Sequence, residues 1–234
     1  MPRTARSIRP GGYYHVLNRG NNRAAVFHEP DDFDVFVRLM TKAQDRRHLK
    51  IAAACLMPNH FHLVVRPDNA DDLSIWLHWL LTVHASRFHR EKCSSGRIWT
   101  GRFKAFPIQD DRHLLTVVRY VERNPLRAGL VGAAEDWRWG SLYWRMVRSS
   151  QPSLAELPFP LPGNWCEFVN APQTPQEIAA IRQSVNRGRP FGDSAWVART
   201  AAELGLTHTL SGRGRRPGSA RQGDSAPVAN ALPN

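Results

Sequence analysis

Acidic residues are scarce in this chain. Its 234 residues hold 20 Asp and Glu against 32 Lys and Arg, a formal net charge of +12 and a pI of about 10.7. Cysteine is scarcer still. Cys55, Cys93 and Cys166 are odd in number and unpaired in spacing. They argue against a disulfide scaffold and a cysteine-based zinc site, and they fit a reducing compartment. No apolar run is long enough to span a bilayer, and no lipidation motif is present. Residues 1–9 are basic but lack the apolar segment of a secretory signal. These absences predict a cytoplasmic protein with no membrane partner. The deficit of acid points to a polyanion, and nucleic acid is the commonest one, so the expected place is the nucleoid.

What is present suffices for a packed core: 42% of residues are hydrophobic and 22% charged. Residues 13–17, Tyr-Tyr-His-Val-Leu, read as a strand. Pro30 opens a helix with Asp31, Asp32 and Asp34 in its first turn, and Arg46, Arg47 and His48 close it, matching the helix dipole at both ends. Residues 51–56 and 60–65 read as strands around a Met57-Pro58-Asn59 turn. A second helix runs from Asp71-Asp72 to about Glu91 with Leu73, Trp76, Leu77 and Leu80 inward; His84 and His89, five apart, read as surface or core-edge residues. Residues 102–108 alternate as a strand with a basic edge. Asp110-Asp111 caps a third helix, which Asn124-Pro125 is expected to end. This order predicts an α+β fold: a ferredoxin-like antiparallel sheet with helices on both faces.

Downstream, Trp137, Trp139, Tyr143 and Trp144 read as packing of a closing segment. The predicted organisation is a basic arm at 1–10, a main domain at 11–148, a Pro-rich linker at 149–163, a small helical C-terminal extension at 164–210 and a disordered basic tail at 211–234. The extension holds helices at 174–186 and 194–204 about an Arg187-Gly188-Arg189-Pro190-Phe191-Gly192 turn. Arg187, Arg189, Arg213, Arg215 and Arg216 are expected to touch phosphates. Truncation after about residue 150 should then weaken DNA binding and spare catalysis.

Side chains alternate along a strand, so His60 and His62 share a face opposite Phe61, Leu63 and Val65. Two such imidazoles can reach one divalent ion. Tyr120 and Asn124 lie one helical turn apart on the flank of the third helix, which is free to lie over the histidine face. Two imidazoles and a carboxamide oxygen leave coordination positions open and suit Mg²⁺ or Mn²⁺ beside a phosphate, with Zn²⁺ also compatible on ligand type alone. A free phenol has a pKa of about 10, so a nucleophilic Tyr120 would need the ion or cations such as Lys104 and Arg119.

The stretch Met57-Pro58-Asn59-His60-Phe61-His62-Leu63-Val64-Val65 resembles the His-hydrophobic-His motif of the HUH tyrosine transposases that act on single-stranded DNA. Gly101-Arg102-Phe103-Lys104, Arg119-Tyr120-Val121-Glu122-Arg123-Asn124-Pro125 and Arg127-Ala128-Gly129-Leu130-Val131 are similar to that family's later blocks. The resemblance is closest to the REP-associated tyrosine transposases and covers roughly residues 9–145. It implies Tyr120 as nucleophile, a metal held by His60, His62 and Asn124, and a 5′-phosphotyrosine intermediate. Asn124 stands where many relatives carry Gln. Arg19, Arg23, Arg102, Lys104, Arg119, Arg123 and Arg127 are the expected DNA-binding residues. The implied partner is single-stranded DNA with hairpins, handled by a monomer or homodimer. Two other readings are a hairpin-binding regulator that does not cut and a metal phosphodiesterase in which water attacks.

Overall fold

The computed structural model describes residues 7–148 and 152–211. The strands are β1 (Tyr13–Arg19), β2 (Lys50–Met57), β3 (His60–Arg66) and β4 (Lys104–Ile108). They form one sheet in the order β2-β3-β1-β4, antiparallel at every junction. This is the expected ferredoxin-like topology. Helices α1 (Pro30–Arg46) and α2 (Asp72–Glu91) cover one face. There Tyr14, Val16, Phe61, Leu63 and Val65 join Phe36, Met40, Trp76 and Leu77 in a continuous core. On the other face Tyr13, Val64, Phe106 and Ile108 meet Leu114, Val117 and Val118 of α3 (Arg112–Glu122). The Asp111 carboxylate caps α3 by accepting from the His113 N–H.

Asn124-Pro125 does not end the helical path as expected. α3 stops at Glu122, and a short helix α4 (Asn124–Arg127) follows with Pro125 in its first turn. Proline fits there because a first-turn N–H has no intrahelical acceptor to lose. The aromatic cluster is packing, as read: Trp139 stacks on Phe33 at 4.3 Å and donates its indole N–H to Asp34.

His84 is a correction. It is buried among Phe27, Phe36 and Trp99, side chains brought together from three separate segments. Burial lowers its pKa to about 4. The folded form therefore keeps the ring neutral, while an unfolded chain takes a proton below about pH 6.5. The stability tied to this ring is whole above that pH and is lost as pH falls toward 4, by about 3 kcal/mol from this residue alone. Urea unfolding at pH 7 and pH 4.5 should show a smaller difference for His84→Phe than for wild type; equal differences would place the proton uptake elsewhere.

The segment after residue 151 is not a detached appendage. Ala155 N–H donates to the Ile51 carbonyl at the sheet edge, and Leu154 packs against the core. A helix absent from the sequence reading, α6 (Trp165–Asn170), packs on α3, and its Trp165 indole donates to the buried Glu122 carboxylate at 2.7 Å. Glu122 also accepts from Ser141 and pairs with Arg145 of α5 (Ser141–Met146). Next come α7 (Pro175–Arg187), with its Thr174–Glu177 capping box, and α8 (Ser194–Glu203). Between them Phe191 extends the β4 edge by exchanging backbone bonds with Pro107 and Gln109. Truncation near residue 150 would strip this cover from the second core, so the expectation that it spares catalysis is withdrawn. Trp165→Ala alone should cost about 3–5 kcal/mol in urea unfolding, with a cavity and an unpaired carboxylate contributing together; a loss under 1 kcal/mol would mean that α6 merely rests on the surface. Residues 1–6 of the expected basic arm at 1–10, and residues 212–234 of the expected tail with Arg213, Arg215 and Arg216, lie outside the described residues.

Candidate active site

β1 pairs with β3 so that Leu17 opposes His62 and Arg19 opposes His60. This register sets His15, Leu17, His60 and His62 on the α3 face. Leu17, His60 and His62, with Arg19, Met57, Tyr120, Asn124, Arg127 and Ala128, enclose a cleft of about 440 Å³, closed on one side by Arg182, Val185 and Asn186 of α7, and His15 lies buried behind His62. The His60 and His62 rings lie 4.9 Å apart and nearly perpendicular, and the Tyr120 ring is 5.9 Å from His62. The H-x-H pair and the tyrosine, distant in sequence, thus converge.

Burial, followed by the positive charges of Arg19 and Arg127, lowers His60 to a pKa of about 4. Burial and the neighbouring His15 and His60 hold His62 well below the usual histidine range. Both rings are neutral at neutral pH, with lone pairs available for a cation. Among the described residues no three His, Cys, Asp or Glu side chains form a set that could hold an ion. The buried Asn124 carboxamide, a donor of another kind, borders the same cleft. Its Oδ1 accepts from the Arg127 guanidinium, while its Nδ2 is buried with no partner among the described residues. A carboxamide oxygen has two lone pairs, so one remains.

The basic residues divide. Arg127 sits over the Tyr120 ring, its Cζ 4.2 Å from the centroid, which makes it the cation beside the phenol. Arg19, Arg23, Arg102 and Lys104 line an adjoining cleft of about 340 Å³. Arg123 is half-buried. Arg119, expected to help Tyr120 and to touch DNA, points elsewhere. It is buried over Phe168 at 3.9 Å and donates to the Ala171 carbonyl, so its charge anchors the extension. The sequence reading missed His15, Asn59 and Arg182 as neighbours of the site. A larger groove of about 680 Å³ beside α2 is lined by His78, His89 and Trp99 and brings no tyrosine to a histidine pair.

The family model of IS200-like transposases matches residues 10–124. Over that stretch, just under half of its length, the chain is similar to this family. Its curated relatives lie in the REP-associated branch. A protein of Haemophilus influenzae named as a REP-associated tyrosine transposase is 30% identical over 101 residues, 39% of this chain and 57% of that one. The chain therefore spans just over half the length of that relative. The REP-associated tyrosine transposase of Escherichia coli is 23% identical over 146 residues, 62% of this chain and 84% of that one. Among solved structures, a REP-associated tyrosine transposase bound to a REP hairpin superposes with a TM-score of 0.51 at 21% identity, over 74% of this chain and 99% of that chain. That likeness bears on the fold.

Proposed function

We propose that this chain cleaves and rejoins single-stranded DNA beside hairpins, using Tyr120 as nucleophile and a divalent cation. One observation carries the reading: His60, His62, Tyr120, Asn124 and Arg127 meet in one cleft that shares Leu17 and Arg19 with a basic cleft. The basic cleft suits the phosphate backbone leading to the site. The hairpin preference rests on analogy with the solved relative, which is bound to a REP hairpin. DNA as substrate puts the place of action at the nucleoid. Among the described residues no helix is long and apolar enough to cross a membrane.

In the proposed reaction the Tyr120 oxygen attacks a backbone phosphorus. A P–O bond forms to tyrosine as the phenol gives up its proton, the bond to the 3′ oxygen breaks, and that oxygen takes up a proton from solvent and leaves as a free hydroxyl, so that the step is proton-neutral. The strand's 5′ phosphate is then held on Tyr120. The bond energy is conserved, so attack by a 3′ hydroxyl reverses the step. Arg127 is placed to steady the phenolate and the phosphate from one position. His60, His62 and the Asn124 Oδ1 would hold Mg²⁺ or Mn²⁺, which supplies positive charge against the phosphate. The test is a hairpin-bearing strand labelled at its 3′ end, incubated with protein and Mg²⁺ and run on a denaturing gel. A band migrating as DNA joined to protein is expected. Binding without that band would favour the regulator, and free cleavage products without it the phosphodiesterase.

A further inference from the structure

Each histidine of the site has one ring nitrogen already engaged. His60 Nδ1 lies 2.6 Å from Asn59 Oδ1. The orientation of the Asn59 amide is set independently, because its Nδ2 donates to the Arg23 carbonyl at 3.1 Å. The oxygen must therefore face His60 and accept from an Nδ1–H. A neutral imidazole with its proton on Nδ1 carries its lone pair on Nε2. His62 Nδ1 lies 2.8 Å from His15 Nε2. His15 is fully buried on β1, against Phe106, and its own Nδ1 has no partner among the described residues. Its contact with His62 is the one polar contact recorded for its side chain among the described residues.

From these contacts the geometry assigns Asn59 and His15 as positioning residues that fix the protonated nitrogen and ring orientation of His60 and His62, so that both Nε2 atoms are presented to a divalent cation. The assignment rests on the metal-dependent reading above and adds who orients the ligands. Such outer partners of metal-bound histidines are worth 10–100-fold in affinity. On the His62 side, coordination through Nε2 puts the shared proton on Nδ1, and His15 Nε2 accepts it. On the His60 side, the whole turn is clamped. Gly20 N–H donates to the Asn59 carbonyl, and both Val26 and Phe27 donate to the Pro58 carbonyl. Gly20 is required at that crossing, since a Cβ there would stand 2.1 Å from the Ala24 carbonyl oxygen. The loop after β1 thus holds Asn59 in place, and Asn59 holds His60.

Neither residue was assigned a role in the sequence. His15 becomes legible only once the β1–β3 register is known, with His15 opposite Val64 and Leu17 opposite His62.

The test is Mn²⁺ binding in the absence of DNA, followed by the loss of the free-ion electron paramagnetic resonance signal on the full chain. Wild type should bind Mn²⁺, and His60→Ala should not. Asn59→Ala and His15→Phe should each raise the dissociation constant 10–100-fold, with circular dichroism unchanged. His15→Gln should recover most of the affinity, because a glutamine amide oxygen reaches about where Nε2 stood and can accept from His62; a residue that merely filled space would be replaced as well by Phe as by Gln. Should His15→Phe fail to fold, Asn59→Ala and His15→Gln carry the test. Wild-type affinity in the Asn59→Ala and His15→Phe proteins would overturn the assignment while leaving the metal reading intact. No Mn²⁺ binding by wild type would overturn the metal reading, and the assignment with it.

Discussion

Tyr120→Phe protein should bind a hairpin-bearing single strand as tightly as wild type and form no covalent complex with it. The phenol is buried, with Arg127 over its ring and the His62 ring beside it. Phenylalanine fills the same volume and keeps the face that Arg127 covers. Among the described residues no hydrogen bond from the Tyr120 hydroxyl is recorded, so its loss leaves no buried partner unsatisfied. What disappears is the attacking oxygen. Removing a nucleophile of this kind lowers turnover by roughly 10⁴-fold or more, here to below detection on a gel. Cleavage by the variant at the wild-type rate would take tyrosine out of the chemistry and leave water as the attacking group.

His60→Ala should be nearly as severe, with strand cleavage down by about two orders of magnitude or more. The fold should persist. His60 is half-buried at the start of β3, and the Phe61, Leu63 and Val65 face against α1 and α2 is untouched. His62→Ala is the less clean experiment. It leaves His15 Nε2 buried without its partner, a cost of about 1–3 kcal/mol. EDTA on wild type should reproduce the His60→Ala loss, and added Mn²⁺ should restore wild type but not the variant. An EDTA-treated wild type that cleaves at full rate would reduce the histidine pair to a structural role.

Local pattern made most of this site readable. Strand alternation put His60 and His62 on one face without knowledge of their neighbours, and the structure keeps that division. The order of strands and helices was enough to lay α3 over them. Side-chain direction within α3 and α4 was harder. Arg119 and Arg127 both flank the tyrosine block, and nothing local distinguishes them. The distinction comes from Phe168 and Ala171 on the extension, which capture Arg119 and leave Arg127 to the cleft. α6 was missed because six residues are too few to show helical periodicity, and the Pro-rich stretch before it reads as linker. His84 looked peripheral because its cage is assembled from Phe27, Phe36 and Trp99, segments that meet only in the fold.

The extension also changes how the cleft is viewed. Arg182, Val185 and Asn186 of α7 form one of its walls, and Lys104 reaches the Val185 carbonyl across the gap at 3.4 Å. Because α7 borders the cleft, point variants on this helix test contact with a bound strand, where truncation would report on folding.

The most direct measurement isolates the covalent complex formed by wild type with Mg²⁺ and hairpin-bearing DNA, digests both components, and locates the attached nucleotide by mass spectrometry. The account predicts one modified peptide, with a 5′ phosphate joined to the oxygen of Tyr120 and formed only when a divalent cation is present. A nucleotide on Tyr143 or any other side chain, or strand cleavage proceeding with no attached nucleotide, would contradict it.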